Sequence, residues 1–183
     1  YEGQYNMAQW YPKMAVYDQE GWHADVFHAE GEFYGEFGNF EVKFDLPKAF
    51  IIGASGIVTN GDPGWESVTV DTSIDFDVWV DIYDSTFFQT DTLERRTVTF
   101  LAENVHDFAW FADKKWIVRK GTLYLADSTR TVTLWSMYKP KNAERWENSI
   151  EYLHDSGYWY SKFNGDYPDN HITAVDGDMS AGG

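Results

Sequence analysis

The sequence predicts a mainly β protein built of antiparallel sheets, with one helix and one strand at its carboxy-terminal end. Three observations carry that prediction. Apolar and polar residues alternate along the first 138 residues, turn-forming dipeptides punctuate them at short intervals, and a 3.6-residue apolar period appears after residue 140.

The alternation is clearest between Glu30 and Gly56, in GEFYGEFGNFEVKFDLPKAFIIGASG, where Phe40, Val42, Phe44 and Leu46 share one face. With Gly38-Asn39 and Pro47-Lys48 as turn signals, this stretch reads strand, turn, strand, turn, strand. Thr97–Glu103, Trp116–Ala126 and Thr131–Tyr138 continue the pattern, and Asp127-Ser128-Thr129 punctuates a hairpin between the last two. The acidic alternation DTSIDFDVWVDIYD, from Asp71 to Asp84, reads as a further strand. Its Asp71, Asp75, Asp77, Asp81 and Asp84 are close enough to raise a calcium site. A strand puts Asp75, Asp77 and Asp81 on one face, however, which favours a solvated surface or a protected sheet edge.

After Lys139-Pro140 the period changes. Asn142 can cap a helix, and Trp146, Ile150, Leu153 and Tyr160 form one apolar stripe through AERWENSIEYLHDSGYWYSKF. Gly157 weakens this helix locally; Asn164-Gly165 and Pro168 end it. His171–Val175 then reads as a strand. The domain boundary is expected near residue 138, with 1–138 as a β domain and 139–183 as linker, helix and first strand of a second unit.

Burial must hold this fold. The 13 Phe, 12 Tyr and 9 Trp supply a large core, and the absence of Cys excludes disulfides and thiolate metal sites. A net charge of −16 would repel nucleic acid and anionic membrane surfaces, and no run of 18 apolar residues is available to span a bilayer. YEGQYNMAQWYPK lacks the basic start and apolar stretch of a signal peptide. With no initiating Met, it suggests that residues have been removed upstream.

Complete catalytic motifs are missing. His23, His28 and Glu30 are the best metal candidates, but a helical zinc site of the HExxH type needs histidines four apart with Glu directly after the first. Here the spacing is five, and Ala24 follows His23. NGDYPDNHITAVDGD fails the calcium-loop pattern at its glycine and its final Glu. His106 and Asp107 look like a dyad, yet neighbours in a strand point to opposite faces, so ENVHDFAW is expected to be structural, with Phe108 and Trp110 packing one face.

Three blocks carry a family resemblance. AQWYPKMAVYDQEGWH with GEFYGEFGNFEVKFDLPKAFIIGASG, then RTVTFLAENVHDFAWFAD, and last NAERWENSIEYLHDSGYWYSKFNGDYPDNHITAVDGDMSAGG resemble, in family order, bacterial zinc metallopeptidases of the aminopeptidase N family. Residues 60–94 match least. The resemblance implies an amino-terminal β saddle domain, incomplete at its start, followed by the opening of a thermolysin-like catalytic domain. It implies a parent zinc-dependent aminopeptidase in which the glycine-rich GAMEN segment, GGMEYP in the branch this chain resembles, pairs with peptide substrate in β fashion. Gly183 matches its first Gly, with Gly182 just before it. The HExxH ligands, distal Glu and catalytic Tyr would lie beyond Gly183, so the chain itself is expected to hold no cofactor and cleave nothing, while the parent holds zinc. A substrate-contacting Gln near the segment matching WYP makes Gln4 and Gln9 candidates.

The partners so implied are a peptide substrate and the catalytic domain of the same chain, and an exported parent fits the resemblance. Missing neighbours would leave a sheet edge and a helix stripe exposed, predicting self-association. Two rivals stand beside this reading. One is a β-sandwich carbohydrate-binding module, which requires Trp22, Trp65, Trp79 and Trp159 to line one solvent-facing strip. The other is a noncatalytic family relative acting as a scaffold, which the presence of HExxH downstream would exclude.

Overall fold

A computed structural model describes residues 3–26, 33–65, 68–86, 93–125 and 129–177. It is mainly β, as alternation requires, with eleven strands in four groups among the described residues. In chain order these are β1 (Tyr5–Met7), β2 (Val16–Asp18), β3 (Gly21–His23), β4 (Gly38–Pro47), β5 (Ile51–Ala54), β6 (Ile57–Asn60), β7 (Arg95–Val105), β8 (Trp110–Asp113), β9 (Ile117–Tyr124), β10 (Thr131–Tyr138) and β11 (His171–Val175). Helix α1 spans Phe76–Thr86, α2 Ala143–Trp146 and α3 Ser149–Asn164. The sheets run β4-β7-β6, β1-β8-β5 and β11-β10-β9, with β2 and β3 as a separate hairpin. Every pairing between these strands is antiparallel except β10 with β11, and an isolated parallel bridge joins Thr69 to Val118.

Two-residue periodicity builds the core. On β7, Val98, Phe100 and Ala102 turn inward and meet Phe44 of β4 together with Ile52, Phe108 and Ala112. Adjacent residues of β5 serve different clusters: Ile52 enters this one, while Ile51 packs with Trp116, Val118, Met137 and Tyr138. Strand β5 is therefore covered on both faces, and all four of its residues are buried. A third cluster, Leu123, Leu125, Val132 and Leu134, lies beneath α3 and takes Ile150, Leu153 and Ile172 against it.

Four expectations need correction. Asp71–Asp84 contains a helix, because Phe76, Trp79, Val80 and Tyr83 recur at helical spacing and pack on the Ile51 cluster, with Tyr83 Oη donating to Trp116 O at 2.7 Å. Asp75 caps it, its Oδ1 accepting from the Asp77 and Val78 amides at 3.1 and 3.3 Å, and Asp71 Oδ1 accepts from Ser73 N and Oγ at 2.9 and 2.7 Å. Those two carboxylates serve local turns rather than calcium; the Asp84 side chain lies outside the described set. Gly38-Asn39 is no turn but the start of β4, with a register shift between Gly38 and Phe40.

Asn142 closes a 3-10 turn, Pro140–Asn142, and makes no side-chain cap; the helix then breaks between α2 and α3. Tyr160 is exposed, and the inner face of α3 carries Ile150, Leu153, Gly157 and Ser161 instead. A Cβ on Gly157 would stand 2.5 Å from Leu123 Cδ2, so this glycine lets helix and sheet approach. The outer face shows Tyr152, Trp159, Tyr160 and Phe163 to solvent. The predicted Asp127-Ser128 turn falls outside the described residues.

Candidate functional site

Strand β11 is positioned by a crossover. The chain leaves β10, passes through α2 and α3, and returns parallel to β10, with Thr133 opposite His171 and Met137 opposite Val175. The Asp176 amide extends the ladder, donating to Met137 O at 2.8 Å. Side-chain alternation sends Ile172 under α3, into the Leu123 cluster.

Asp176 then gathers three segments. Its Oδ2 accepts from the Lys139 backbone amide at 3.2 Å and from Asn142 Nδ2 at 2.6 Å, which is where the expected helix cap is engaged instead. Its carbonyl accepts from Gln4 Nε2 at 2.9 Å, across 172 residues of sequence. The same Gln4 nitrogen donates to Asn6 Oδ1 at 2.9 Å, while β1, pairing Tyr5 with Ala112, fixes the backbone around it. Gln4 Oε1 is buried without a hydrogen-bond partner. Sequence reasoning singled out Gln4 but missed Asp176 as its partner, since pairing across 172 residues leaves no local signal. Close by, Lys139 and Asp113 form an almost fully buried pair at 3.8 Å beside a cavity of about 490 Å³ that also meets Asp81, Lys115 and Lys141.

Gln9 sits elsewhere. It is exposed, adopts the left-handed backbone region with φ 50°, and donates to Asp107 Oδ2 at 2.9 Å. Asp107 also takes the Lys13 ammonium at 3.0 Å, and its Oδ1 accepts from Tyr11 Oη and the Phe108 amide, each at 2.7 Å. Burial by itself would raise this carboxyl's pKa, but the donors from Tyr11, Lys13 and Phe108 outweigh it and hold the group below the ordinary carboxylate range. Burial and the Asp107 charge push the Tyr11 phenol up to about 12. Asp107 is thus a clamp from the β7–β8 loop onto residues 9–13. His106 turns instead to the Phe37 ring, 5.6 Å away edge to face, and Phe108 and Trp110 pack in the core cluster. His106 and Asp107 lie in a loop rather than a strand, and they form no dyad among the described contacts.

His171 lines a cavity of about 330 Å³ together with Gly56, Glu103, Asp107 and Asp169. Burial pushes its pKa down, and its Nδ1 lies 3.0 Å from Thr173 Oγ1. The metal candidates disperse. His23 Nε2 pairs with Asp18 Oδ1 at 2.8 Å across the β2–β3 hairpin, and His28 and Glu30 lie outside the described residues. No cluster of three His, Cys, Asp or Glu able to hold a metal occurs among the described residues. Gly182 and Gly183 also lie outside them. No described helix is long and apolar enough to cross a membrane.

The sugar-binding arrangement is not formed. Trp65 donates its ring N–H to Ile52 O at 2.8 Å and packs against Trp135 at 4.3 Å, and Trp79 stacks on Tyr83 at 5.0 Å. Trp22 and Trp159 are exposed on a hairpin and on α3, so the four line no common strip.

No family model matches the chain, and no curated protein does. Among solved structures, it is similar to a two-domain M1 zinc metallopeptidase mutant bound to L-tryptophan, with a TM-score of 0.48 and 15% identity. The same mutant bound to L-arginine, and an M1 zinc metallopeptidase from Deinococcus radiodurans, each give a TM-score of 0.42 and 16% identity. Each similarity covers 75% of this chain, which spans only 26% of the length of those proteins.

Proposed function

We propose that this chain is the supporting part of a zinc-dependent aminopeptidase. Residues 1–138 form the saddle-like β domain, and 139–183 form the linker, helix and first strand of a thermolysin-like catalytic domain. Its role is to shape the peptide-binding cleft, and hydrolysis belongs to residues outside it. The three sequence blocks in family order support this reading. The observation that carries it is the meeting of Gln4 with Asp176: a substrate-contacting candidate just before the first strand is bonded to the residue that follows β11.

In this reading the zinc and its activated water are supplied by the HExxH region of the parent. What this chain contributes is placement. In sequence, strand β11 leads toward the glycine pair, a residue type whose lack of a side chain lets a peptide backbone approach closely, and Gln4 bonds to Asp176 directly after that strand. Gln9, fixed on Asp107, is the second candidate contact.

Zinc content by mass spectrometry, together with hydrolysis of L-alanine p-nitroanilide, tests the division of labour. The 183-residue chain should bind no stoichiometric zinc and release no nitroaniline, whereas the chain extended through its HExxH region should do both. Stoichiometric zinc and hydrolysis by the 183 residues alone would sink the proposal.

A further inference from the structure

The face of the β9–β10–β11 sheet that turns away from α3 carries two cross-strand rows. Lys120, Trp135 and Thr173 stand opposite one another on the three strands, and Thr122, Thr133 and His171 form the next row. Leu123, Leu134 and Ile172 alternate with them and face α3. Over the rows lies a cavity of about 270 Å³, with Trp135, Thr173 and His171 on one side and Ile57, Val58 and Trp65 on the other. A second cavity, of about 440 Å³, adjoins it and shares Val58, Trp65, Lys120 and Trp135. This shared wall is fixed in place, because Trp65 is tied to Ile52 O through its ring N–H and packs on Trp135.

Charge makes the trough selective. The Lys120 ammonium stands 5.2 Å from the centre of the Trp135 ring and forms no ion pair among the described residues, in a chain of net charge −16. No carboxylate lines the smaller cavity, and burial pushes the His171 pKa down, so that imidazole is neutral at pH 7. In the larger cavity Asp62 is already engaged: its Oδ1 accepts from Gly64 N at 2.7 Å, and its Oδ2 from Arg96 Nη1 at 3.3 Å. Beyond His171, Glu103, Asp107 and Asp169 line a third cavity, which turns an anion back toward Lys120.

We propose that this trough binds a small aromatic carboxylate, its flat apolar body against Trp65 and Trp135 and its carboxylate on the Lys120 ammonium. Tryptophan surface supplies the apolar contact, and an ammonium beside it in a half-closed groove attracts an anion more strongly than one in open water. A cation of the same shape is repelled by Lys120, and a carboxylate without a ring gains nothing from the tryptophans.

The test titrates the 183-residue chain with 2-naphthoate, followed by calorimetry and by the indole N–H signals in proton–nitrogen correlation spectra. A ligand of this size should bind with a Kd on the order of 0.1–1 mM and move the Trp65 and Trp135 signals. Both 2-naphthylmethylamine and acetate should bind at least about tenfold more weakly. Lys120→Met keeps an apolar stem on Trp135 without the charge; it should weaken naphthoate about tenfold while leaving the ligand-free indole spectrum that of the parent. Naphthoate that leaves both tryptophan signals unmoved at about 5 mM, an amine that binds as well as the acid, or unchanged affinity in Lys120→Met overturns the proposal. None of these outcomes bears on the peptidase reading, which the zinc and nitroanilide measurements decide.

Discussion

Replacing Gly157 by Ala sets two physical effects against each other. Helix propensity favours the change by about 1 kcal/mol, since glycine in a helix interior is costly. The packing opposes it. An added Cβ would lie 2.5 Å from Leu123 Cδ2 and 3.0 Å from Ile172 Cδ1, against about 3.5–4.0 Å for a relaxed carbon contact. Leu123 is fully buried, so it cannot swing into solvent. Overpacking of this kind typically costs about 1–3 kcal/mol, and an overlap of more than about 1 Å on a buried partner belongs in the upper half of that range. The net expectation is a loss of about 1–2 kcal/mol, or roughly 2–8 °C in Tm for a chain of this size. Thermal unfolding followed by far-UV circular dichroism measures it. Pairing the change with Leu123→Val, which shortens the opposing side chain, should recover at least about 0.5 kcal/mol relative to additivity. A Gly157→Ala protein that melts higher than the parent would show that the helix does not approach the sheet as described.

Two further expectations concern titrating groups. The folded state lowers the His171 pKa by burial, so it disfavours the proton that the unfolded chain accepts near the ordinary 6.5. Its contribution to stability is complete above that value and is lost as pH falls through it toward the lower folded value; His171→Asn should flatten urea-measured stability between pH 7 and 5, and an unaltered slope would contradict this. Asp107→Ala strips acceptors from Tyr11, Lys13 and Gln9 and should cost about 2–3 kcal/mol, with the Tyr11 phenol titrating below its value of about 12 in an absorbance titration. Because the folded Asp107 carboxyl is held below its ordinary 3.8, its contribution is present above that pH and fades below it. A Tyr11 titration that does not move would remove Asp107 as its partner.

The strands were legible because their chemistry is local. Thr131–Tyr138 alternates, begins after a turn signal, and is a strand over those same residues. Helix α1 was not legible, because Ile74, Phe76, Val78 and Val80 mimic a strand while Phe76, Trp79, Val80 and Tyr83 mark a helix. Capping by Asp75 and burial against Trp116 decide between them. Tyr160 shows a different limit: spacing alone placed it on the inner stripe, but over this part of α3 the buried positions are Gly157 and Ser161, and a Cβ at Gly157 would already stand 2.5 Å from Leu123 Cδ2. At the site, the sequence could nominate Gln4 and Gln9 but not separate them. What distinguishes them is their partners, Asp176 for one and Asp107 for the other, each about a hundred residues or more away in the chain.

Strand β10 lies between two neighbours that run in opposite senses, with a helix over one of its faces. Its placement sets a phase for everything that follows. If a single residue were inserted between Asn164 and His171 and shifted β11 by one position, Ile172 and Ala174 would exchange faces with His171 and Thr173, pressing an imidazole against Leu123. The carbonyl that meets Gln4 would then belong to a different residue. The length of that connection acts as a gauge, transmitting the alignment of a sheet to whatever the chain does next.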